Sequence, residues 1–491
     1  MSKLEELNPL FYPKAVAVIG ATDNSFKHGN WYMRSILKRG FPKEHLYPVN
    51  PNEEEILGIK SYPRVQDVPE TLDQVIVAVP KKIIKQILKD CVEAKVKFAV
   101  IFTSGFSESD LEPEEGKKSE KELLEIISGS KTRIVGPNGM GIYSFDGGLS
   151  IPYLYNPPGD GPVSFASQSG GHVVGLSCMA DFWSSIRFNK MVSFGNGIDL
   201  EVTDYLEYFT EDSKTEIINL YVEGIRDGSR FFEALREASR VKPVIVWKGG
   251  WTSGGSRATL SHTGSLAGSN RIWGVVFSQA GAIQVFGMEE LCDVTMAFLR
   301  INPPRGFNAA ILGGGGGQSV VATDECESAG LKVPAFSPET KEKLSGIVPD
   351  IGTGIANPID ASYFVYNDLN MYSDLLEVVE ADPKIDILIL QHEAMYGERN
   401  EVLFNVLKEA KKQLEKPFVM ALYPSGGPIQ YTPENEAERL QLMKRYMDEG
   451  FLVYPSIYRA SNAVFKMVWY YNFLERYGKS EMASESPLKV V

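Results

Sequence analysis

The sequence predicts an α/β protein made of three consecutive parallel-sheet units, and three observations predict it. Short apolar runs recur along the 491 residues and end in Gly, Pro, Asn or Ser. Amphipathic helical stretches separate them, the alternation that parallel sheets produce. The alternation also restarts three times, each time as an apolar strand, a glycine- or serine-rich turn and a helix. The length agrees, because a chain of this size exceeds what one hydrophobic core usually supports.

The first unit, residues 1–147, opens with "AVAVIGATDNSFKHGNWYMRSILKRG". There "AVAVIG" is a buried strand, Gly20 makes the turn and residues 30–38 read as a helix. The runs "HLYPVNP", "QVIVAVP", "KFAVIFTSGF" and "RIVGPNGMGIY" continue it, each placing a loop at a strand's carboxyl end, where open sheets bind ligands. "GGLSIPYLYNPPGDG" reads as a linker on its proline and glycine content. The second unit, residues 160–302, runs from "PVSFASQSGGHVVGLSCMA" through "FNKMVSFGNGIDL", "TEIINLYVEGI" and "KPVIVWKGG". The third, residues 306–475, begins "FNAAILGGGGGQSVVATDECESAGL" and holds "IDILILQHE" and "KPFVMALYPSGG". Residues 476–491 form a polar, flexible tail.

A formal charge of −13 argues against nucleic-acid affinity, since nothing supplies a broad phosphate-neutralising surface. No run approaches the roughly 18 apolar residues that cross a bilayer. The N-terminus lacks an apolar signal core, so no membrane and a cytoplasmic location are expected. Cysteines 91, 178, 292 and 326 form no CxxC pair, which leaves neither a disulfide framework nor a zinc site.

Three places could carry chemistry. The turn "GATDNSFKHG" can point amides at an anion at a helix start. It lacks GxGxxG spacing, and "YPVNP" stands where an NAD-binding fold wants a ribose-binding acid, so NAD is disfavoured; a plain tight turn is the competing reading. The turns "FASQSGG" and "LGGGGGQS" can each form a nest of amide donors, with hydroxyls from Ser167, Ser169 and Ser319. Together they suggest one anion held between two helix ends.

The third place is His262 in "SHTGSLAG", one of five histidines (28, 45, 172, 262 and 392). Small neighbours cannot shield it in a core, so an exposed glycine-flanked loop is expected. It could be a metal ligand, a general base or a nucleophile accepting a phosphoryl group. No histidine or cysteine stands at ligand spacing, which leaves metal binding without partners. A nucleophilic imidazole needs an acid; Glu223 at the end of "IINLYV" is the first choice and Asp199 in "GNGID" the second. An incidental histidine and a solvated glutamate are the ordinary alternatives.

The motifs "VAVIGATDNS", "YPVNP", "GPNGMG", "FASQSGG", "LYVEGI" and "SHTGSLAG" resemble, in this order and at these intervals, the α subunit of ADP-forming acetyl-CoA synthetases. These NDP-forming acyl-CoA synthetases are relatives of succinyl-CoA synthetase. The resemblance spans residues 8–470, and "GGGGGQS", "ESAGL" and "ANPIDAS" extend it through the third unit. It implies a Rossmann-like CoA-binding domain followed by two flavodoxin-like, succinyl-CoA synthetase-like domains. It implies acyl-CoA and phosphate exchanging with carboxylic acid and CoA through acyl phosphate, with the phosphoryl group passing by His262 to ADP. Glu223 would support that histidine.

CoA binding is implied for Gly20, Ala21, Thr22, Ser25, Val49, Asn50, Pro51, Ser104, Pro137 and Asn138. Phosphate binding is implied for Ser167, Gln168, Ser169, Gly170, Gly171, Gly315, Gly316 and Gly317. ATP or ADP with Mg2+ would bind a separate ATP-grasp β subunit in a heterotetramer, because three α/β units use up this chain. The family often has Cys or Ser at Gly139 and Arg at Trp251, departures that bear on the choice of acid. Two readings differ in class. A silent CoA- or acyl-CoA-binding sensor of the same fold is countered by intact His262 and Glu223; an NAD-dependent oxidoreductase lacks both of its signatures.

Overall fold

The structure, a computed structural model, describes residues 2–109, 112–153, 160–180, 184–263, 270–395, 397–424 and 432–476, without the side chains of 260–263 and 270. Contacts divide the chain into two compact units, residues 1–181 with 186–291, and residues 182–185 with 292–491.

Among the described residues the first unit holds two sheets of five and six strands, besides one short hairpin. One joins β1 (Val16–Ile19), β2 (Leu46–Val49), β5 (Gln74–Val77), β6 (Phe98–Ile101) and β7 (Arg133–Val135) in the order β2-β1-β5-β6-β7, all parallel. A small hairpin, β3 (Glu55–Ile56) with β4 (Ile59–Lys60), follows β2. Strands β1, β5 and β6 are buried along their whole length. Helices on both faces of a parallel sheet leave no solvated side, which is why these runs are continuously apolar. The helix after Gly20, α2, spans His28–Arg39 once α1 (Lys3–Phe11) is counted first. It ends at Gly40, whose φ of +98° is the left-handed cap that glycine adopts freely.

The second sheet contains β8 (Gly141–Ser144), β9 (Val163–Ser167), β10 (Phe188–Ser193), β11 (Ile217–Val222), β12 (Val244–Lys248) and β13 (Ile283–Val285), ordered β13-β12-β11-β9-β10-β8. Strand β8 is antiparallel to β10. The sequence run "RIVGPNGMGIY" reads as the end of the first sheet, yet it divides. Asn138 at φ +59° and Gly141 at φ +91° redirect the chain, so β7 closes the first sheet while β8 edges the second. Leu149 and Ile151, inside the stretch read as a linker, are buried, and residues 154–159 of that stretch lie outside the described residues.

Helix α1 ties the amino terminus to the second sheet: Phe11 stacks on Tyr208 with ring centroids 4.6 Å apart. Asp199 closes the same seam. Its carboxylate takes Arg133 Nε at 2.9 Å, Arg133 Nη2 at 2.9 Å and the Ile134 amide at 2.8 Å. These contacts engage Asp199 away from the end of β11.

Among the described residues the second unit has one sheet, β14 (Ala309–Leu312), β15 (Gly354–Ile355), β16 (Ile359–Asp360), β17 (Ile387–Glu393), β18 (Phe418–Tyr423) and β19 (Leu452–Tyr454), ordered β15-β16-β14-β17-β18-β19. Only β15 is antiparallel in it. Strand β16 meets β14 at Leu312 alone, and Asn357 completes the pairing with its side chain. It accepts from the Ile311 amide at 3.0 Å and donates to the Ala309 carbonyl at 2.9 Å.

The three sheets share one rule. Numbering the parallel strands of each in chain order, the spatial order is 2-1-3-4-5 in all of them. Each therefore has a switch point between its first and third parallel strands, where loops diverge and a crevice opens. Those points are β1/β5, β9/β11 and β14/β17. Among the described residues no helix is long and apolar enough to cross a membrane.

Candidate active site

At the first switch point the chain must pass very close to itself. A Cβ on Gly20 would lie 2.5 Å from the Ala78 carbonyl oxygen, and one on Gly29 only 1.9 Å from the Gly20 carbonyl oxygen. Both positions thus admit glycine alone, and the first turn of α2 is pressed onto the β1 turn. A cleft of about 680 Å³ opens there, lined by the ends of β1, β2, β5, β6 and the head of α2. Four of the residues expected to bind CoA line it: Gly20, Thr22, Asn50 and Ser104.

The others do not line it. Ala21 and Val49 are buried behind it, and the Ser25 carbonyl accepts from Trp31 Nε1 at 2.6 Å. Pro51 lies past the end of β2 on the surface. Pro137 and Asn138 instead line the seam with β10, their carbonyls 2.3 and 2.4 Å from where a Gly195 Cβ would be. Lys27, His28, Asn24, Asn52, Phe102 and Thr103 line the cleft and were not expected there.

One expectation needs correction. A carboxylate does follow the second strand: Glu53 Oε1 accepts the Thr22 hydroxyl at 2.7 Å and the Asn50 amide at 3.2 Å. The acid is brought back by the turn after Asn50, so it stands off the strand end and escapes a search at that position.

The second switch point assembles the polar groups of "FASQSGG" and "LYVEGI". Register pairs Ser167 with Tyr221 and Val222 with Lys248, so Gln168, Glu223 and Gly249 leave the sheet at one edge. Gln168 Oε1 accepts from the Glu223 and Gly224 amides, the latter at 3.1 Å, and locks the two loops together. Helix α5 (Gly170–Met179) starts there, after α3 (Ile84–Glu93) and α4 (Pro113–Ile127) of the first sheet. Ser169 is its N-cap and takes the His172 amide at 3.4 Å. Ser167 Oγ donates to the Ser169 carbonyl at 2.8 Å and accepts its amide at 3.0 Å. The side chains of Ser167, Gln168 and Ser169 therefore build the turn, and the amides of Gly170 and Gly171 open the helix.

Glu223 is buried, and Tyr221 Oη donates to its Oε1 at 3.0 Å. Burial, reinforced by the Glu223 charge, raises the tyrosine's pKa, so the phenol stays a donor. Lys248 is buried beside them, its ammonium bonded to the Gly249 carbonyl and 5.2 Å above the Trp273 ring. Burial pushes its pKa down to about 8, opposed by the Glu223 charge. The His172 ring packs 4.2 Å from Tyr221 and 4.4 Å from Trp247. Tyr221 could have been found from sequence, because residues two apart on a strand share a face.

His262 falls in helix α8 (Ser253–Thr263), which follows α6 (Val202–Glu211) and α7 (Gly228–Val241), and not in a loop. Its side chain lies outside the described residues. Thr252 starts the helix, its hydroxyl accepting the Gly255 amide at 3.0 Å, and "SRATL" then supplies helix formers that outweigh the local glycines. Trp251 just precedes it and stands edge-on to Phe286 at 5.6 Å.

The third switch point lies in the second unit. Gly313 and Gly314 have φ of +91° and +86°, and a Cβ on Gly313 would lie 2.3 Å from the Gln391 carbonyl oxygen. Gly315 caps the helix Gly316–Ala329, its amide donating to Gln318 Oε1 at 3.1 Å. Gly317 has open space at its Cβ position, and Asp360 Oδ2 stands 3.3 Å from that of Gly316. Ser319 Oγ and Gln391 Oε1 are buried without a hydrogen-bond partner among the described residues.

Comparison with known proteins agrees with this layout. Residues 14–144 match the CoA binding domain family, and residues 160–298 match the succinyl-CoA ligase like flavodoxin domain family. The chain is 37% identical over 383 residues to the α subunit of ADP-forming acetate–CoA ligase II of Pyrococcus furiosus, covering 78% of this chain and 81% of that protein. It is 33% identical to the α subunit of ADP-forming acetate–CoA ligase I of the same organism, covering 93% and 96%. The solved structure of Ca. Korarchaeum cryptofilum dinucleotide forming acetyl-coenzyme A synthetase 1, in complex with phosphate and ADP, superposes with a TM-score of 0.81 at 30% identity, covering 98% of this chain and 99% of that one.

Proposed function

Because the chain belongs to the family of ADP-forming acetate–CoA ligases, we propose that it works as the α subunit of an ADP-forming acyl-CoA synthetase. It interconverts acyl-CoA, ADP and phosphate with a carboxylic acid, CoA and ATP. CoA occupies the cleft at the first switch point, whose glycines permit the close backbone approach a diphosphate needs. Phosphate binds at the head of α5 on the amides of Gly170 and Gly171, whose partial positive charge suits an anion.

His262 is the phosphoryl carrier. Its imidazole nitrogen attacks the phosphorus of acyl phosphate, the bond from phosphorus to the acyl oxygen breaks, and the carboxylate leaves. Transfer to ADP then breaks the P–N bond and restores the imidazole. Glu223 orients the ring and balances its charge. Gly315, Gly316 and Gly317 offer a helix start of their own for an anion, within a second flavodoxin-like domain. ADP, with Mg2+, is held by a separate ATP-grasp β subunit in a heterotetramer, and four scattered cysteines suit a reducing cytoplasm.

The observation that carries this reading is the tie between Gln168 and the Glu223 loop. It holds a helix start and a buried carboxylate at one sheet edge, as phosphoryl transfer through a histidine requires. Substituting His262→Ala should leave CoA binding intact and abolish acyl-CoA formation by the chain reconstituted with its β subunit. Retained turnover in that variant overturns the phosphohistidine route.

A further inference from the structure

We propose that Lys27 is the cation that reads a phosphate group of CoA, from the N-cap of α2 in the cleft at the first switch point; the inference rests on the CoA reading above. Lys27 is an unusual residue for its position. N-caps favour Ser, Thr, Asp or Asn, whose side-chain oxygen accepts an otherwise orphaned amide. The amino end of a helix also disfavours cations, because its dipole is positive there. Lys27 breaks both rules: it is the N-cap, its side chain makes no capping bond, and no acid stands in the first turn of α2.

Nothing in the surroundings compensates. The Lys27 ammonium has no hydrogen bond or ion pair among the described residues, although it lines the cleft. Among the described lining residues it is the lone lysine or arginine, and none is acidic. The carboxylates of the adjoining loops are engaged elsewhere. Glu53 is taken up by Thr22, Asn50 and the Asp23 amide, and Asp23 Oδ1 accepts the Leu57 amide at 2.9 Å.

The placement is rigid as well. Gly29 packs against Gly20 with no room for a Cβ, and the His28 ring is held 4.7 Å from Phe102 and 4.8 Å from Trp31. A cation at a positive helix end, facing a neutral polar cleft, is a local conflict that an anionic ligand resolves. CoA offers two such anions, the diphosphate and the 3′-phosphate.

The test is calorimetric titration of the full chain with CoA and with dephospho-CoA. Lys27→Met should raise the Kd for CoA roughly 10-fold or more, whereas Lys27→Arg, which keeps the charge, should stay within about 3-fold. Raising salt should weaken wild-type binding more steeply than binding to Lys27→Met. Lys27→Met should melt no lower than wild type, since it removes a cation from a positive helix end, and Lys27→Gln serves as a second neutral variant. A loss shared by dephospho-CoA assigns the diphosphate, and a loss confined to CoA assigns the 3′-phosphate; both support the proposal. A wild-type chain that binds CoA no better than the neutral variants overturns this inference alone. A wild-type chain that does not bind CoA overturns the reading beneath it.

Discussion

The hydroxyl of Tyr221 donates to Oε1 of Glu223 across 3.0 Å, and both side chains close over Gly249. A Cβ on Gly249 would lie 2.4 Å from that hydroxyl and 3.2 Å from Glu223 Cγ. Tyr221→Phe removes a donor to a buried carboxylate, so unfolding free energy should fall by about 1–3 kcal/mol in urea titration.

The same geometry couples Gly249 to Tyr221. Gly249→Ala should be destabilising, by about 1–3 kcal/mol, in the wild-type background and milder in Tyr221→Phe, where the oxygen it strikes is gone. A double-mutant cycle with additive losses would show that the two positions do not touch.

A Cβ on Gly139 would be 2.7 Å from the Ser193 carbonyl oxygen. Gly139→Ser should therefore lower stability by about 1–3 kcal/mol, because backbone on both sides of the seam must shift. Thermal melting checks it, and an unchanged Tm would mean that β10 yields at no cost.

His392 is buried in the second unit with Nδ1 2.9 Å from Tyr372 Oη, and burial lowers its pKa from 6.5 to about 3. The unfolded chain takes up this proton near pH 6.5 while the folded chain resists it to about 3. Stability from this group is therefore complete above pH 6.5 and falls as pH drops through that window, by about 1.4 kcal/mol per unit at most. His392→Gln should flatten this acid slope in denaturant titrations between pH 7.5 and 5. An equally steep slope in the variant would assign it to other groups.

Lys248 acts with the same sign at alkaline pH. With its pKa lowered from 10.5 to about 8, the folded chain releases a proton that the unfolded chain keeps, so this group's share of stability rises between pH 8 and 10.5. Lys248→Met should remove that rise. If Lys248 also serves phosphoryl transfer, turnover should decline above about pH 8, and Lys248→Arg should extend activity to higher pH.

Much of this was legible in the sequence because it is local. Gly20, Gly313 and Gly314 follow apolar runs, and a turn with positive φ straight after a buried strand favours glycine. Glu223 was legible too, as an acid just past a buried strand. His262 was misread as a loop residue, because its small neighbours hid the Thr252 cap and the helix formers behind it. Glu53 was missed since a turn returns it to Thr22 from beyond the strand. Asp199 looked like a possible catalytic acid, but Arg133 claims it from a distant strand.

The sequence by itself determined the α/β class, the repeated strand, turn and helix, and the positions of the glycine turns, since each depends on residues within one or two turns of chain. Only the tertiary structure decided that β8 belongs to the second sheet, that Gln168 binds the Glu223 loop, and that Lys27 faces a cleft without acids. Those outcomes depend on strand order. The 2-1-3-4-5 arrangement brings together residues far apart in sequence, and it is selected by burial of whole sheets, which no short segment records.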